Sequence, residues 1–458
     1  MSCKIPRPPG IPILGNVFDV NTDETWNSLN RLAKIYGPVF KIKVFGNQIV
    51  FIGNVNLLQE ICDQRRFRKC VTGPIVEMRH CANDCLFTAY DYEKSWGIAH
   101  RIMIPYVTVS ETDACFDDMA TVIPDLTRKW TTTIKQSVLI TDDLDRLLMA
   151  SCMQCFFNQR VEVLQGPEPA IIPALERITM EAMKRPTRPN LLNQLFYQRG
   201  FEKDIKIMRD FARGIIKRRK ETPEESRNDL LDALLHGTDP DTGEKLSDTQ
   251  VVDEVVTIFI GAATSSNLVS YALYYLMKNP EKRTMAYAEI DSVIGSDQKI
   301  QLEKLRELKY CEAIIRETLR LSATAPGFNI EPIPTQDKSP IFLAGGKYEI
   351  PHDQTMIVIL HSVNRDPEVF EDPETFSPER MLGEKWDNLP SAAKKGFGNG
   401  KRECYGKMWA WRWSIFTLAT ILKEVSFEFQ DLKYELVSNG AFSVKPLNFY
   451  GLVSPRTK

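Results

Sequence analysis

"KKGFGNGKRECYGK", from Lys394 to Lys407, surrounds one cysteine, Cys404, with Gly396, Gly398, Gly400 and Gly406. Glycine serves where a backbone turns sharply or approaches something closely. The run "MWAWRWSIFTLATILKEV" follows at once and reads as a helix, so Cys404 stands just ahead of a helix N-terminus. Free amide N–H groups and the positive end of the helix dipole gather there, which predicts a lowered thiol pKa. Such a loop suits a thiolate that accepts hydrogen bonds and faces something flat and large.

The chain has 458 residues, more than a usual single domain. Its linker candidates, "RPTRPN" (Arg185 to Asn190) and "KETPEESRND" (Lys220 to Asp229), are short and flanked by helical patterns. One body over residues 1–458 is expected, mainly α with a small β region, its β-rich parts at about 1–70 and 327–360. The formal charge of −2 argues against a nucleic-acid partner. The basic run "KRRK" at Lys217 to Lys220 ends a helical pattern and reads as a solvated last turn.

Ten cysteines without regular spacing indicate reduced cytosolic thiols and no disulfide framework. Cys152 and Cys155 form a C-x-x-C inside the apolar stretch "LDRLLMASCMQCFFNQ", with no second pair or nearby histidine, and read as buried small hydrophobes. The start, "MSCKIPRPPGIPILGN", has neither an anchor-length apolar span nor a signal-peptide core. Pro6, Pro8, Pro9 and Pro12 make it a stiff, extended lead-in. A soluble, cytoplasmic monomer is expected.

Residues 25–36 read as a helix, and Pro38 to Asn54 as a β-hairpin turning at Gly46-Asn47. Helical patterns then dominate to about Asn279. Ser247 or Asp248 is placed to cap the last of these helices, which runs to Lys278 and stops before Pro280. It is apolar on nearly every face from Val255 to Met277 apart from "TSSN"; with Asp253 and Glu254 beside it, this predicts a buried central helix and no membrane span. From Gly327 to Leu360 the pattern alternates as in strands.

One cysteine cannot build a four-ligand structural zinc site. Nucleophilic catalysis would need a base, and His80, His100, His236, His352 and His361 lie in no protease-like signature. A lone thiolate in a Gly-rich turn does meet the needs of an axial haem ligand. "FGNGKRECYG" resembles the cysteine loop of the cytochrome P-450 superfamily through Phe397, Gly400, Cys404 and Gly406. "ETLR" resembles its E-x-x-R element through Glu317 and Arg320, and "FSPERM" supplies Arg380, which in the family joins them in a charged triad. "WGIAHR" supplies Trp96 and His100, which by resemblance donate to haem propionates, with Arg402 as a cationic partner.

From "IPRPPGIPILGN" through "RRFRKC" and "LRLSATAPGF" to its end, the chain resembles the haem domain of soluble, self-sufficient fatty-acid hydroxylases of fungi and bacteria. The resemblance implies a cytochrome P-450 fold, heme b with its iron on Cys404, and a monooxygenase acting on a hydrophobic small molecule. No flavin domain is expected beyond Lys458. Electrons are therefore expected from a separate NADPH-dependent flavoprotein reductase, unless the chain is a piece of a longer fusion.

The chain departs from the family at two places. In "FIGAATSS", Gly261, Thr264 and Ser265 keep the oxygen-activation pattern, but its acid has become Ala263 and its first small residue Ile260. Proton delivery needs a hydroxyl with a proton source, and Ala263 relays nothing. Three readings stay open: a monooxygenase served by Thr264 and ordered water, a P-450 that rearranges, dehydrates or uses peroxide, and a haem-binding protein without turnover. At the substrate mouth, Asn47 and Phe51 stand where the fatty-acid hydroxylases carry an arginine and a tyrosine. Phe87 is retained, and Ala325 with Phe328 is expected to form the opposite wall of an apolar pocket that Ile260 and Ala263 narrow. The expected substrate is a neutral, hydrophobic secondary metabolite of fungal type.

Overall fold

The order of elements follows local chemistry closely enough to be built from it. In the computed structural model, residues 4–225, 227–295 and 299–457 are described. Met1–Cys3 of the proline-rich lead-in and Ser226 of the second linker candidate lie outside them. Among the described residues, helices make up more than half, and ten short strands fall into three small sheets.

The central helix spans Asp248–Lys278. Ser247 starts it with a reciprocal cap: its Oγ accepts from the Gln250 N–H at 3.3 Å, and Gln250 Oε1 accepts from the Ser247 N–H at 3.0 Å. Asn279 and Pro280 end it. At ~1.5 Å per residue it is about 45 Å long. It packs along the helix Ile140–Phe157 on one side and the helix Lys407–Glu424 on another, and it lies inside the body as its composition predicts. Its two buried acids are held: Asn83 and Arg209 bond Asp253, while Glu254 accepts the Leu86 N–H at 2.8 Å. Burial pushes the Glu254 carboxyl up to about 8, well above the ordinary glutamate range.

The helix Thr25–Tyr36 precedes the hairpin β1 (Val39–Val44) and β2 (Asn47–Ile52). The turn is one residue earlier than expected. Val44 pairs with Asn47, so Phe45 and Gly46 make the corner, with φ +46° and +91°. A type I′ turn, whose twist matches that of the strands, requires positive φ at both positions, and the Gly-Asn signal does not fix which pair takes them. β2 continues in parallel to β8 (Met356–Ile359), then antiparallel to β5 (Gly327–Pro332) and β3 (Phe67–Lys69), giving the order β1-β2-β8-β5-β3. Val50 and Ile52 enter one small core, and Phe51 enters another on the opposite face. Phe51 stacks on Phe40 at 4.9 Å. Its ring is therefore sheet packing.

β4 (Gln136–Leu139) joins β9 (Val425–Phe429) and β10 (Tyr450–Pro455), while β6 (Ile341–Leu343) and β7 (Tyr348–Ile350) form a separate pair. Cys152 and Cys155 are buried within Ile140–Phe157. None of the nine described cysteines is bridged.

Candidate active site

The cysteine loop is shaped by its own backbone. The Cys404 N–H donates to Phe397 O at 2.8 Å and the Glu403 N–H to Gly400 O at 2.8 Å. Gly398 and Gly400 hold φ of +86° and +69°, and a Cβ on Gly400 would stand 2.5 Å from Gln64 Oε1. Asn399 Nδ2 bonds Cys62 O at 3.0 Å, tying the loop to the helix Val55–Ile61. Gly406 then caps the helix Lys407–Glu424, and Phe397 lies edge-on to Trp411.

Cys404 is solvent-accessible, yet protein surrounds it closely, so its open side is a recess. The expected lowering of its pKa is corrected. Burial pushes the thiol up, and it outweighs the Gly406 N–H, Lys69 and Lys407, which pull it down. The loop by itself does not ionise the sulfur; a metal cation bound to it would.

Lys69, at the end of β3, was not singled out by its sequence. Its Nζ donates to Arg402 O at 2.7 Å and lies 5.9 Å from the Phe328 ring, so it joins the cysteine loop to the expected pocket wall. Trp96 and His100 stack on the helix Lys94–Met103 at 4.8 Å, and Arg402 and Lys401 lie over the Trp96 ring. Arg402 Nη1 donates to Ala89 O at 2.7 Å and Nη2 pairs with Asp91 at 3.1 Å. Nε and Nη2 are buried without an aligned acceptor among the described residues. Asp91 supplies the counter-charge, and the Nε–H is a donor left for a further acceptor.

The three members of the charged triad are together. Arg320 forks onto Glu317 with two bonds of 2.7 Å, and Arg380 Nε stands 3.2 Å from Glu317 Oε1. Arg320 also donates to the carbonyls of Asn364 and Pro373, fastening the helix Lys309–Leu321 to the segment that precedes the cysteine loop.

On the central helix, Gly261 is exposed between buried Ile260 and buried Ser265. Thr264 Oγ1 donates to Gly261 O at 3.0 Å, and the Ser265 Oγ is buried without a partner among the described residues. A Cβ on Gly261 or on Gly406 would meet nothing within 4 Å. An accessible thiol, open glycines and a spare Arg402 donor fit a flat, iron-bearing macrocycle with carboxylate arms.

The family model described as cytochrome P-450 matches residues 5–452. The chain belongs to the cytochrome P-450 family.

Among curated relatives of this P-450, a bifunctional cytochrome P-450/NADPH–P-450 reductase of Aspergillus oryzae is 35% identical over 97% of this chain and 41% of its own length. A self-sufficient cytochrome P-450 monooxygenase of Phanerodontia chrysosporium is 35% identical over 100% of this chain and 43% of its own. The bifunctional protein of Acremonium egyptiacum is 34% identical over 98% and 43%. This P-450 thus spans about two-fifths of the length of the relatives it matches.

The expected pocket residues of this P-450 divide into two groups. Phe87 meets Phe442 edge-on at 5.4 Å, a partner the sequence did not suggest, and Glu254 holds the neighbouring Leu86 amide. Phe328 lies on β5 and Ala325 just before it. Ile260 and Ala263 instead line a cavity toward the helices Ile140–Phe157 and Ile171–Lys184, which Phe87, Ala325 and Phe328 do not line.

Proposed function

We propose that this chain is a single haem domain of a monooxygenase. It would place one atom of dioxygen into a hydrophobic small molecule, RH + O2 + 2 e− + 2 H+ giving ROH + H2O. Heme b would be held by Cys404, with its carboxylate arms toward Arg402, Trp96 and His100, and its thiolate ligation supplies the push that favours O–O cleavage. The observation that carries this reading is Thr264, whose hydroxyl stands beside exposed Gly261 midway along a largely buried helix. Thr264 would hold a proton at Oγ1, and the walls at Phe87 and Phe328 would exclude water and orient the substrate. Glu317, Arg320 and Arg380 would fix the segment below the cysteine loop.

The electron donor in this reading is a separate, NADPH-dependent flavoprotein reductase; the relatives' names join such a reductase to their P-450. We place the protein in the cytoplasm as a soluble monomer acting on a neutral secondary metabolite. The second reading, chemistry without dioxygen activation, is favoured by Ala263 alone. Turnover of the metabolite that gives the largest spectral shift in a ferric-protein screen decides between them. Strict dependence on dioxygen and reductase supports the monooxygenase, and full turnover without dioxygen excludes it.

Palmitate is expected to bind poorly. Asn47 offers no cation, Phe51 is buried against Phe40, and a carboxylate that loses water without a partner costs on the order of several kcal/mol. In titrations of the ferric protein, methyl palmitate should therefore bind more tightly than palmitate. The reverse order would contradict the neutral-substrate assignment.

A further inference from the structure

Asp253 and Glu254 stand side by side on the central helix, each 1% exposed, and neither takes part in the function proposed above. Burying two neighbouring acids is costly unless both are bonded. Consecutive side chains leave a helix about 100° apart, so adjacent acids ordinarily serve different neighbours. Here both reach one loop. Asp253 takes the Asn83 amide on both of its oxygens at 3.0 Å, and Glu254 Oε1 takes the Leu86 N–H at 2.8 Å. That loop, Asn83 to Thr88, carries Phe87.

The base of the loop is bolted down. Thr88 Oγ1 donates to Asn83 O at 2.5 Å and lies 3.2 Å from Cys85 Sγ, and Arg79 Nη1 donates to Thr88 O at 2.8 Å. Arg209 Nη1, from the helix Gln198–Glu221, bonds Asp253 at 2.5 Å and Cys81 O at 2.8 Å. Asn83 holds φ of +42° with ψ of −122°, a strained pair that persists where surrounding bonds over-determine it. The tip is held far more lightly. Across Leu86 and Phe87 the bond to Glu254 is the backbone's one hydrogen bond among the described residues. Removing it frees the tip while the base stays fixed, and lets the Phe87 ring leave Phe442, which it meets edge-on at 5.4 Å.

We propose that Glu254 is a positioning residue for substrate selection: through the Leu86 amide it sets where the Phe87 ring stands in the pocket, while Asp253 holds the base of the same loop. This rests on the reading of Phe87 as a pocket wall. Glu254 acts here as a hydrogen-bond acceptor. Its Oε1 makes the bond and its Oε2 has no partner among the described residues, so an amide at this position serves as well as a carboxyl.

Two azoles test this on the ferric haem protein without turnover. Imidazole needs only the iron, whereas 4-phenylimidazole also needs room and contact at the pocket wall. The quantity read is the ratio of their dissociation constants from spectral titrations. Phe87→Ala is expected to move this ratio. Glu254→Leu, close in size but without an acceptor, should move it the same way by at least about fivefold, and Glu254→Gln should stay within about twofold of the parent. Adding Glu254→Leu to Phe87→Ala should move the ratio no further, because a clamp without its ring has nothing to place. The Leu86 amide should exchange with D2O at least about 10-fold faster in Glu254→Leu than in the parent. A general loosening of the fold would weaken both azoles together and leave the ratio where it was.

If Glu254→Leu yields no haem protein, Asn83→Gly replaces it: glycine tolerates the backbone angles, the bond to Asp253 is lost, and the ratio should move the same way. A ratio that Phe87→Ala does not move overturns the pocket-wall reading and the proposal with it. The proposal alone is overturned if Phe87→Ala moves the ratio and the loop variant does not, if Glu254→Gln behaves as Glu254→Leu, if the two changes add, or if the Leu86 amide exchanges no faster.

Discussion

Cys404→Ala abolishes the carbon monoxide band by which a reduced haem-thiolate protein is recognised. That is the largest effect expected of any single change in this chain. The loop from Lys394 to Lys407 holds no second thiol that could replace the ligand. Cys62 belongs to the helix side of the loop, where its carbonyl accepts from Asn399. The measurement is the reduced, carbon monoxide-bound spectrum of variant and parent at equal haem content. A band retained at the parent position would remove Cys404 from its assigned role.

The second large effect concerns stability. Glu317 is 0% exposed and Arg320 is 3% exposed, and their fork is closed on all sides by the Asn364 and Pro373 carbonyls and the Ser377 amide. Glu317→Ala leaves a guanidinium buried without its counter-charge, which costs about 3–5 kcal/mol. Removing both partners is expected to cost less than the sum of the single changes, because no charge is then stranded. Arg380→Ala should matter less, since its side chain is 18% exposed and Arg320 still neutralises Glu317. Urea unfolding of the parent, Glu317→Ala, Arg320→Ala, the double variant and Arg380→Ala reads these differences. A loss below about 1 kcal/mol in Glu317→Ala would class the pair with ordinary surface bridges.

How much of this could be read in the sequence depended on how local the cause was. The central helix was legible at both ends because Ser247, Gln250, Asn279 and Pro280 act within a few residues of each other. The hairpin was legible, but not its corner, since Phe45-Gly46 and Gly46-Asn47 both contain a glycine able to turn. Glu317, Arg320, Arg380 and Cys404 stood out through a resemblance of spacing, and the structure brings the first three together.

Lys69 and the reach of Glu254 were not legible, for a common reason. Lys69 meets a carbonyl 333 positions away. Glu254, which in the sequence only argues against a membrane span, meets an amide 168 positions away. The thiol pKa was misjudged because helix-end dipoles are visible in a sequence and desolvation is not.

The sheet order β1-β2-β8-β5-β3 also sets a timetable for synthesis. Val50 on β2 and its parallel partner Met356 on β8 are 306 residues apart along the chain. At about 5–20 residues per second, the hairpin leaves the ribosome roughly 15–60 s before the strand that covers its edge. During that interval Ile49, Val50, Phe51 and Ile52 form an apolar, unpaired strand edge, the kind of template that neighbouring nascent chains can join. The helix Thr25–Tyr36 is already available and can cover the Phe51 face, but not the edge itself. The nascent chain therefore carries a sticky ribbon at its leading end until its last quarter emerges, and chaperone capture of that ribbon would govern how much folded protein accumulates.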